Sequence, residues 1–129
     1  MVIANCLTLA LPAVPKSVPA ARSAVRETVT ELTDDDGVVA DVVLCVSEAV
    51  TNAVRYAYGP RGGVVEVLVA RTGSDLAVVV RDEGAGLTHA RRPEKSGGFG
   101  LRIIERLASR YSLKSHPNEG TELRMVFVL

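Results

Sequence analysis

The sequence contains no tryptophan, only three tyrosines and two phenylalanines, and no excess of charge of either sign. Single-stranded nucleic acids are bound by stacking their bases on aromatic side chains, and this sequence has few side chains of that kind. Fifteen Lys and Arg residues are balanced by fifteen Asp and Glu residues. Because general binding to DNA or RNA depends on surplus basic side chains, we expect no direct contact with nucleic acid.

Cysteines and long apolar runs are also scarce. Cys6 and Cys45 are far apart and lack a CxxC or Cys/His metal-binding spacing. We expect them to be buried free thiols in a reduced, cytoplasmic protein. No run approaches about 18 uninterrupted apolar residues, so we expect no membrane span. The apolar N-terminal segment has no preceding Lys or Arg, so secretion is not expected either.

The sequence does contain enough apolar material for one folded domain. Its 129 residues are 47% hydrophobic and 23% charged, which is typical of a globular chain and not of a disordered one. No internal repeat or low-complexity linker divides it. The length therefore predicts a single domain over residues 1–129.

Apolar periodicity predicts the element order β-α-α-β-β-loop-α-β-β. Apolar runs predict strands at about 6–11, 64–72, 75–82, 112–116 and 121–129. Helical spacing predicts helices at about 17–32 (with an N-cap at Ser17), 37–58 and 100–111. The glycine-rich, polar residues 83–97 predict a long loop. Helices on one face of a mixed, mostly antiparallel sheet would make this an α+β fold, an α/β sandwich.

The helix predicted over 37–58 carries the most informative polar residues. Glu48, Asn52 and Arg55 are spaced at i, i+4 and i+7 and so share a face, with Asp41 on the same stripe. Such residues taken alone are most often a solvated polar surface. A carboxylate one turn from an amide also pairs a general base with an oxygen ligand for Mg²⁺, which prefers hard oxygen donors. The spacing by itself leaves both interpretations open.

Two glycine-containing motifs follow. Asp82 ends a predicted strand and precedes Gly84 and Gly86. This pattern is usually a simple turn, but it also suits a carboxylate that accepts a hydrogen bond from a purine amino group. Gly98 and Gly100 lie at the start of the third predicted helix. Backbone N–H groups at a helix start bind anions such as phosphate, but these glycines could also be only a flexible segment that leads into the helix. A Walker loop and a GxGxxG dinucleotide motif are absent.

The order of these motifs resembles that of the GHKL nucleotide-binding fold, which gyrase, the Hsp90 chaperones, histidine kinases and MutL share. A fourth signal, Gly120-Thr121, precedes the last predicted strand. Within this fold the chain is most similar to the small anti-sigma factor serine kinases, because VSEAVTNAVRYAY is close to their N-box helix. That group often has histidine where Tyr56 stands here. The resemblance covers essentially the whole chain.

The resemblance implies a Bergerat-type ATP-binding fold and a role for each motif residue. Asn52 would coordinate a Mg²⁺ ion that bridges the phosphates, and Glu48 would be the catalytic base. Asp82 would accept a hydrogen bond from the adenine amino group. Gly84 and Gly86 would shape the adenine pocket, and Thr121 would support the adenine end. Gly98 and Gly100 would hold the phosphates below a lid at 87–97, and Leu101 would also bind the cofactor.

The resemblance also implies a function. The protein would be a cytoplasmic bacterial anti-sigma factor that transfers the γ-phosphoryl group of ATP to a serine of an anti-anti-sigma protein with a STAS fold. It would sequester a sigma factor by partner switching and would form a homodimer. The alternative is an ATP-binding regulatory module that switches protein partners without significant kinase activity.

Overall fold

The computed structural model describes residues 3–57, 62–84, 101–116 and 120–129. Their elements follow the predicted order. The strands are β1 (Ile3–Pro12), β2 (Val64–Thr72), β3 (Asp75–Asp82), β4 (Arg110–His116) and β5 (Gly120–Val128). The helices are α1 (Ser17–Thr30), α2 (Asp36–Asn52), which continues into a π-helical turn (Ala53–Ala57), and α3 (Leu101–Leu107).

The five strands form one sheet in the order β1-β2-β3-β5-β4. Every pairing among the described strands is antiparallel. The predicted α+β fold is confirmed, and the described part of the sheet contains no parallel pair. Because β3 and β5 are antiparallel neighbours, the end of β3 meets the beginning of β5, where Asp82 is paired with Thr121.

Apolar residues alternate along the three central strands and face the helices. The buried positions on this inner face are Val65, Val67 and Val69 in β2, Leu76, Val78 and Val80 in β3, and Leu123, Met125 and Phe127 in β5. Helices α1 and α2 pack against each other and contribute buried valines and alanines to the same core. Fully burying such an aliphatic side chain stabilises the fold by about 1.5–3 kcal/mol. This packing offsets the modest helix propensity of the valine-rich α2.

Helix α2 begins at a well-defined cap. The Asp35 side chain accepts hydrogen bonds from the backbone N–H groups of Gly37, at 2.9 Å, and Val38, at 3.2 Å. A carboxylate at this position satisfies unpaired N–H groups and interacts favourably with the positive end of the helix dipole. The acidic run at residues 34–36 therefore supplies the cap at which the helix begins.

Among the described residues, the segment Asp36–Arg55 is long and apolar enough to cross a membrane by length and composition alone, with a mean hydropathy of 1.6. It is not an uninterrupted apolar run, because Asp41, Glu48 and Asn52 lie within it. Half of the apolar window is buried inside the fold. The helix contacts α1, β3 and β5, which is how the core helix of a folded domain packs.

Three helix boundaries differ from the predictions. Lys16 and not Ser17 is the N-cap of α1; Ser17 is the first helical residue, and its hydroxyl donates to the Pro12 carbonyl oxygen at 2.6 Å. The second helix changes to π-helical geometry after Asn52, a local widening that a 3.6-residue period does not reveal. The third helix ends at Leu107 because β4 already begins at Arg110, where it pairs with β5.

The first residue of β5 lies directly against the end of β3. Gly120 has a φ of +96°, a conformation that side-chain-bearing residues rarely adopt. A Cβ atom there would overlap the Asp82 carbonyl oxygen and lie 2.7 Å from the Glu83 Cα. Both neighbours are backbone atoms, so no side-chain rotation relieves the overlap. Glycine is therefore required for Asp82 and Thr121 to be paired.

Cys45 is fully buried in the core, and Cys6 is half-buried in β1. Both are free thiols, as predicted, but the predicted burial is confirmed only for Cys45. Burial, with smaller contributions from the negative charges of Asp41 and Glu48, raises the pKa of the Cys45 thiol from its ordinary value of 9.0 to about 12. The folded protein therefore keeps this thiol protonated, and it remains a weak nucleophile.

We predict that Gly120→Ala lowers the free energy of unfolding by about 1–3 kcal/mol, because it adds an atom against backbone at a positive φ. Urea denaturation measures this loss. Gly73→Ala is the matched control, since Gly73 also has a positive φ (+60°) but nothing within 4 Å of a new Cβ. Gly73→Ala should lower the free energy of unfolding less, by about 1 kcal/mol. Equal losses in the two variants would contradict the close approach.

We also predict that iodoacetamide modifies Cys45 slowly at about pH 8 in the folded protein and rapidly in urea, as read by mass spectrometry. Folding raises the pKa of the Cys45 thiol, so the protonated thiol contributes fully to the free energy of unfolding below the ordinary pKa of 9.0. This contribution is lost as the pH rises toward 12. Cys45→Ala should remove this alkaline loss of stability. Fast modification of native Cys45 would show that the thiol is accessible.

Candidate nucleotide-binding site

Buried polar residues are few in the described part of the chain: Ser17, Asn52 and Asp82. Burying a polar side chain is unfavourable unless it finds a hydrogen-bonding partner, so each case needs a reason. Ser17 is explained by its bond to Pro12, which fixes the start of α1. Asn52 and Asp82 are 7% and 6% exposed. The sequence motifs had singled out these same two residues.

Asp82 is the last residue of β3 and occupies a buried, helix-facing position in the alternation of that strand. Its Oδ1 atom accepts a hydrogen bond from the backbone N–H of Gly84 at 3.0 Å. This short turn fixes the orientation of the carboxylate where the strand ends. Asp82 and Gly84, two residues predicted to belong to one pocket, are thus joined directly.

Thr121 lies opposite Asp82 in the β3–β5 ladder, and Ser115 lies opposite Thr121 in the β4–β5 ladder. Residues directly opposite each other project from the same face of a sheet, so these three side chains form a row across three strands. The Ser115 and Thr121 hydroxyl oxygens are 3.2 Å apart. Ser115 was not singled out from the sequence, because only the strand register places it beside the Gly120-Thr121 motif.

A cavity of about 260 Å³ opens at this edge of the sheet. It is lined by Asp82, Gly120 and Thr121 and by four charged residues, Arg81, Glu83, Lys114 and Glu122. Sites for small ligands are concave, and polar groups in them fix the orientation of the ligand. The end of β3 and the start of β5 therefore form a candidate binding site for the polar edge of a ligand.

Glu48 and Asn52 lie one helical turn apart at the end of α2, the layer that faces β3 and β5. Asn52 is the last α-helical residue, and its amide oxygen is buried. Glu48 is half-buried, and its charge acts on the neighbouring Cys45 thiol, whose pKa it helps to raise. Asn52 and Asp82 thus lie on facing layers of the same core.

The predicted shared face of Glu48, Asn52 and Arg55 is only partly present. The helix is π-helical from Ala53 onward, so the i+7 relation that would place Arg55 on this stripe no longer holds. Arg55 is exposed. Helical widenings of this kind frequently occur at functional sites, and this one follows Asn52 immediately.

Charged residues on the opposite, uncovered face of the sheet neutralise one another. The Arg81 guanidinium donates to both carboxylate oxygens of Glu66, each at 3.2 Å, and lies 3.6 Å from Glu122. The hydrogen bond to Glu66 is the main cause of the raised pKa of Arg81. Exposed ion pairs contribute only about 0–1 kcal/mol each. Their location on β2, β3 and β5 nevertheless supports the strand register next to Asp82.

Within the described ranges, no group of three or more His, Cys, Asp or Glu side chains is placed to hold a metal ion. A magnesium ion at a nucleotide does not need such a group, because it is held by one or two protein oxygens, by water and by the phosphates. The buried amide oxygen of Asn52 is a hard donor of the type Mg²⁺ accepts. The residues present therefore fit a magnesium ion that is shared with a nucleotide.

Part of the predicted site lies outside the described residues. This applies to Gly86, Gly98 and Gly100 and to the proposed lid at 87–97. Leu101, also predicted to bind the cofactor, begins α3 and is half-buried, and it packs against the hydrophobic core. Among the predicted site residues, the described structure pairs Asp82 with Thr121 and places Glu48 and Asn52 on the helix that packs against their strands.

Comparisons with known proteins agree on one domain family. Residues 11–127 match the histidine kinase-like ATPase domain family. An anti-sigma F factor of Pasteuria penetrans is 34% identical over 118 residues, which cover 82% of this chain and 79% of the relative. An anti-sigma F factor of Clostridium acetobutylicum is 30% identical over 115 residues, which cover 81% and 80%.

A solved structure agrees with these sequence relatives. The crystal structure of the RsbU and RsbW domains of a Mycobacterium tuberculosis protein superimposes with a TM-score of 0.78 at 25% sequence identity. The match covers all of this chain but only 32% of the solved one, so the chain spans about a third of that protein. The family match extends over most of the sequence, and the fold agrees with it. This chain belongs to the histidine kinase-like ATPase domain family and is a relative of the anti-sigma F factors.

Proposed function

We propose that this protein is an anti-sigma factor that binds Mg²⁺-ATP and phosphorylates a serine of an anti-anti-sigma protein with a STAS fold. The observation that carries this proposal is the burial of Asn52 and Asp82 on facing layers of the core. Membership of an ATPase domain family and relatives named anti-sigma F factors support it. Sigma-factor sequestration by partner switching and assembly as a homodimer belong to the same proposal.

Asp82 recognises the base of the nucleotide. Its carboxylate only accepts hydrogen bonds, so it suits the amino group of adenine and disfavours a purine with a carbonyl oxygen at that position. The hydrogen bond from the Gly84 N–H holds the carboxylate in one orientation. Thr121 adds a hydroxyl on the neighbouring strand at the same edge. The start of β5 and the end of β3 together would then define the adenine end of the site.

Asn52 and Glu48 act at the phosphate end. Asn52 would supply an amide oxygen to Mg²⁺, and the bound ion would neutralise phosphate charge. Glu48, one turn away, would accept the proton of the attacking serine hydroxyl. The serine oxygen forms a bond to the γ-phosphorus while the bond to the bridging oxygen of ADP breaks, which leaves phosphoserine and ADP. Positioning and charge neutralisation contribute most of the catalysis in such transfers.

We predict that Asp82→Asn weakens ATP binding about tenfold or more, since the amide replaces an ionised acceptor and presents a donor to the adenine amino group. Calorimetry with Mg²⁺ present measures the dissociation constant. Asp75→Asn is the matched control, because Asp75 lies at the far end of the same strand and pairs with Arg110. The Asp75→Asn variant should bind ATP with the wild-type dissociation constant. Absence of ATP binding by the wild type would overturn the proposed function.

We predict that Glu48→Gln lowers phosphoryl transfer by about 10²–10⁴-fold, the usual contribution of a general base, while ATP affinity changes little. Transfer of labelled phosphate from ATP to STAS proteins of the same organism measures the rate. Asp41→Asn, two turns earlier on the same stripe, should leave transfer unchanged. Wild-type protein that binds ATP but labels no STAS protein would contradict the kinase proposal in favour of a binding module.

A further inference from the structure

The central strands are more apolar than a sheet with one solvated face requires. Strands with one solvated face usually alternate apolar and polar residues, whereas strands covered on both faces are near-continuous apolar runs. β2 (VVEVLVART) and β3 (DLAVVVRD) are runs of the second kind. Their buried positions alternate, and the described helices pack on that buried side. The apolar residues on the uncovered face therefore need a second explanation.

Five apolar residues from three adjacent strands form a patch in the middle of the uncovered face. The strand register pairs Leu68 with Val79 and Ala70 with Ala77, and it pairs Ala77 with Val126. All five are half-buried, and none of them packs against the hydrophobic core. We call these five residues the outer patch.

The outer patch contains a row of larger side chains next to a row of small ones. Leu68 and Val79 form one row, and Ala70 and Ala77 form the next, two residues away on each strand. A two-fold axis that crosses the strands between these rows, above Val78, places the larger row of each copy on the smaller row of the other. Ala77 of one copy then lies opposite Val79 of the second, and the reverse contact is identical. The patch is thus complementary in shape to itself.

The charges around the outer patch also suit a second copy. Three carboxylates and three guanidinium groups on this face form ion pairs with one another: Glu66, Asp75 and Glu122 with Arg81, Arg110 and Arg124. These six charges leave no surplus that would attract a strongly acidic or basic partner. The same two-fold axis places Arg81 of each copy near Asp75 of the other, because both residues are three positions from Val78 on β3.

The uncovered face has the size of a stable interface. Five strands about 4.8 Å apart, with β2 nine residues long, give a face of about 24 Å by 30 Å, or about 700 Å². An interface of standard size buries about 800 Å² per partner. An apolar centre surrounded by charged side chains is also the usual anatomy of a protein interface. Two such sheets pack face to face about 10 Å apart.

We propose that the uncovered face of the sheet is the surface on which this protein pairs with a second copy of itself, with the two β3 strands antiparallel across the interface and centred on Val78. The inference deepens the homodimer included in the proposed function and rests on that part of it alone. It leaves the candidate nucleotide site accessible, because Asp82 occupies a helix-facing position on the other face of the sheet.

The test measures the mass of the full-length protein by analytical ultracentrifugation over a range of concentrations. The wild type should be a dimer. Ala77→Glu and Val79→Arg should each raise the dissociation constant of the dimer at least about 100-fold, because each buries an unpaired charge at the centre of the interface. Leu68→Ala introduces no charge and should raise the dissociation constant about tenfold through lost apolar contact.

An equimolar mixture of Ala77→Glu and Val79→Arg proteins should dimerise again. In the mixed dimer the two introduced charges face each other across the interface, and the other contact keeps the wild-type Ala77 and Val79 side chains. The mixture should therefore dimerise at least about tenfold more tightly than either variant alone. A mixture that dimerises no better than the separate variants would contradict the pairing of the two β3 strands.

Ala40→Glu is the matched control, because Ala40 is exposed on α2, in the helical layer, and receives the same substitution as Ala77. It should dimerise as the wild type does. Thermal unfolding of every variant establishes that it is folded. A monomeric wild type would overturn the inference and leave the face to a different protein. A dimer that persists in folded Ala77→Glu, Val79→Arg and Leu68→Ala would overturn it as well.

Oligomeric state and ATP binding are measured separately, so the two proposals fail separately. A monomeric wild type that binds ATP and labels a STAS protein would overturn this inference and the homodimer but support the kinase. A dimer that depends on Ala77 and Val79 but binds no ATP would support the interface and overturn the nucleotide site.

Discussion

The close approach of β5 to the end of β3 is the contact on which the rest of the structure depends. Gly120 lies against the Asp82 backbone, where a side chain would overlap it. This contact allows β5 to enter the sheet between β3 and β4, and so pairs Asp82 with Thr121 and Thr121 with Ser115. A backbone constraint at one glycine therefore assembles a row of polar side chains from three strands.

The core contains mostly apolar side chains, which stabilise the fold, and two buried polar side chains, which do not. Nearly all of its buried side chains in the described residues are valine, alanine and other apolar types, and their burial stabilises α1 and α2 on the sheet. Asn52 and Asp82 interrupt this core where the helix and the strand end. Burial of polar groups is unfavourable for folding, but it also removes water and strengthens electrostatic interactions with a ligand. The buried Asn52 and Asp82 side chains thus lower the stability of the core while suiting the proposed site.

Much of the fold could be predicted from the sequence because its signals are local. The apolar runs at 64–72 and 75–82 predicted β2 and β3 with the bounds that the structure has. The helix ends were less predictable. The π-helical turn after Asn52 and the early end of α3 depend on packing and on strand pairing, which apolar periodicity does not contain.

The sequence alone determined the element order, the absence of surplus charge and the motif residues Glu48, Asn52, Asp82 and Thr121. It did so because spacing along a helix and alternation along a strand are properties of neighbouring residues. Only the tertiary structure decided the strand order, the burial of Asn52 and Asp82 and the place of Ser115. Those features depend on pairing between residues distant in the chain, which is specified by the packing of the whole core.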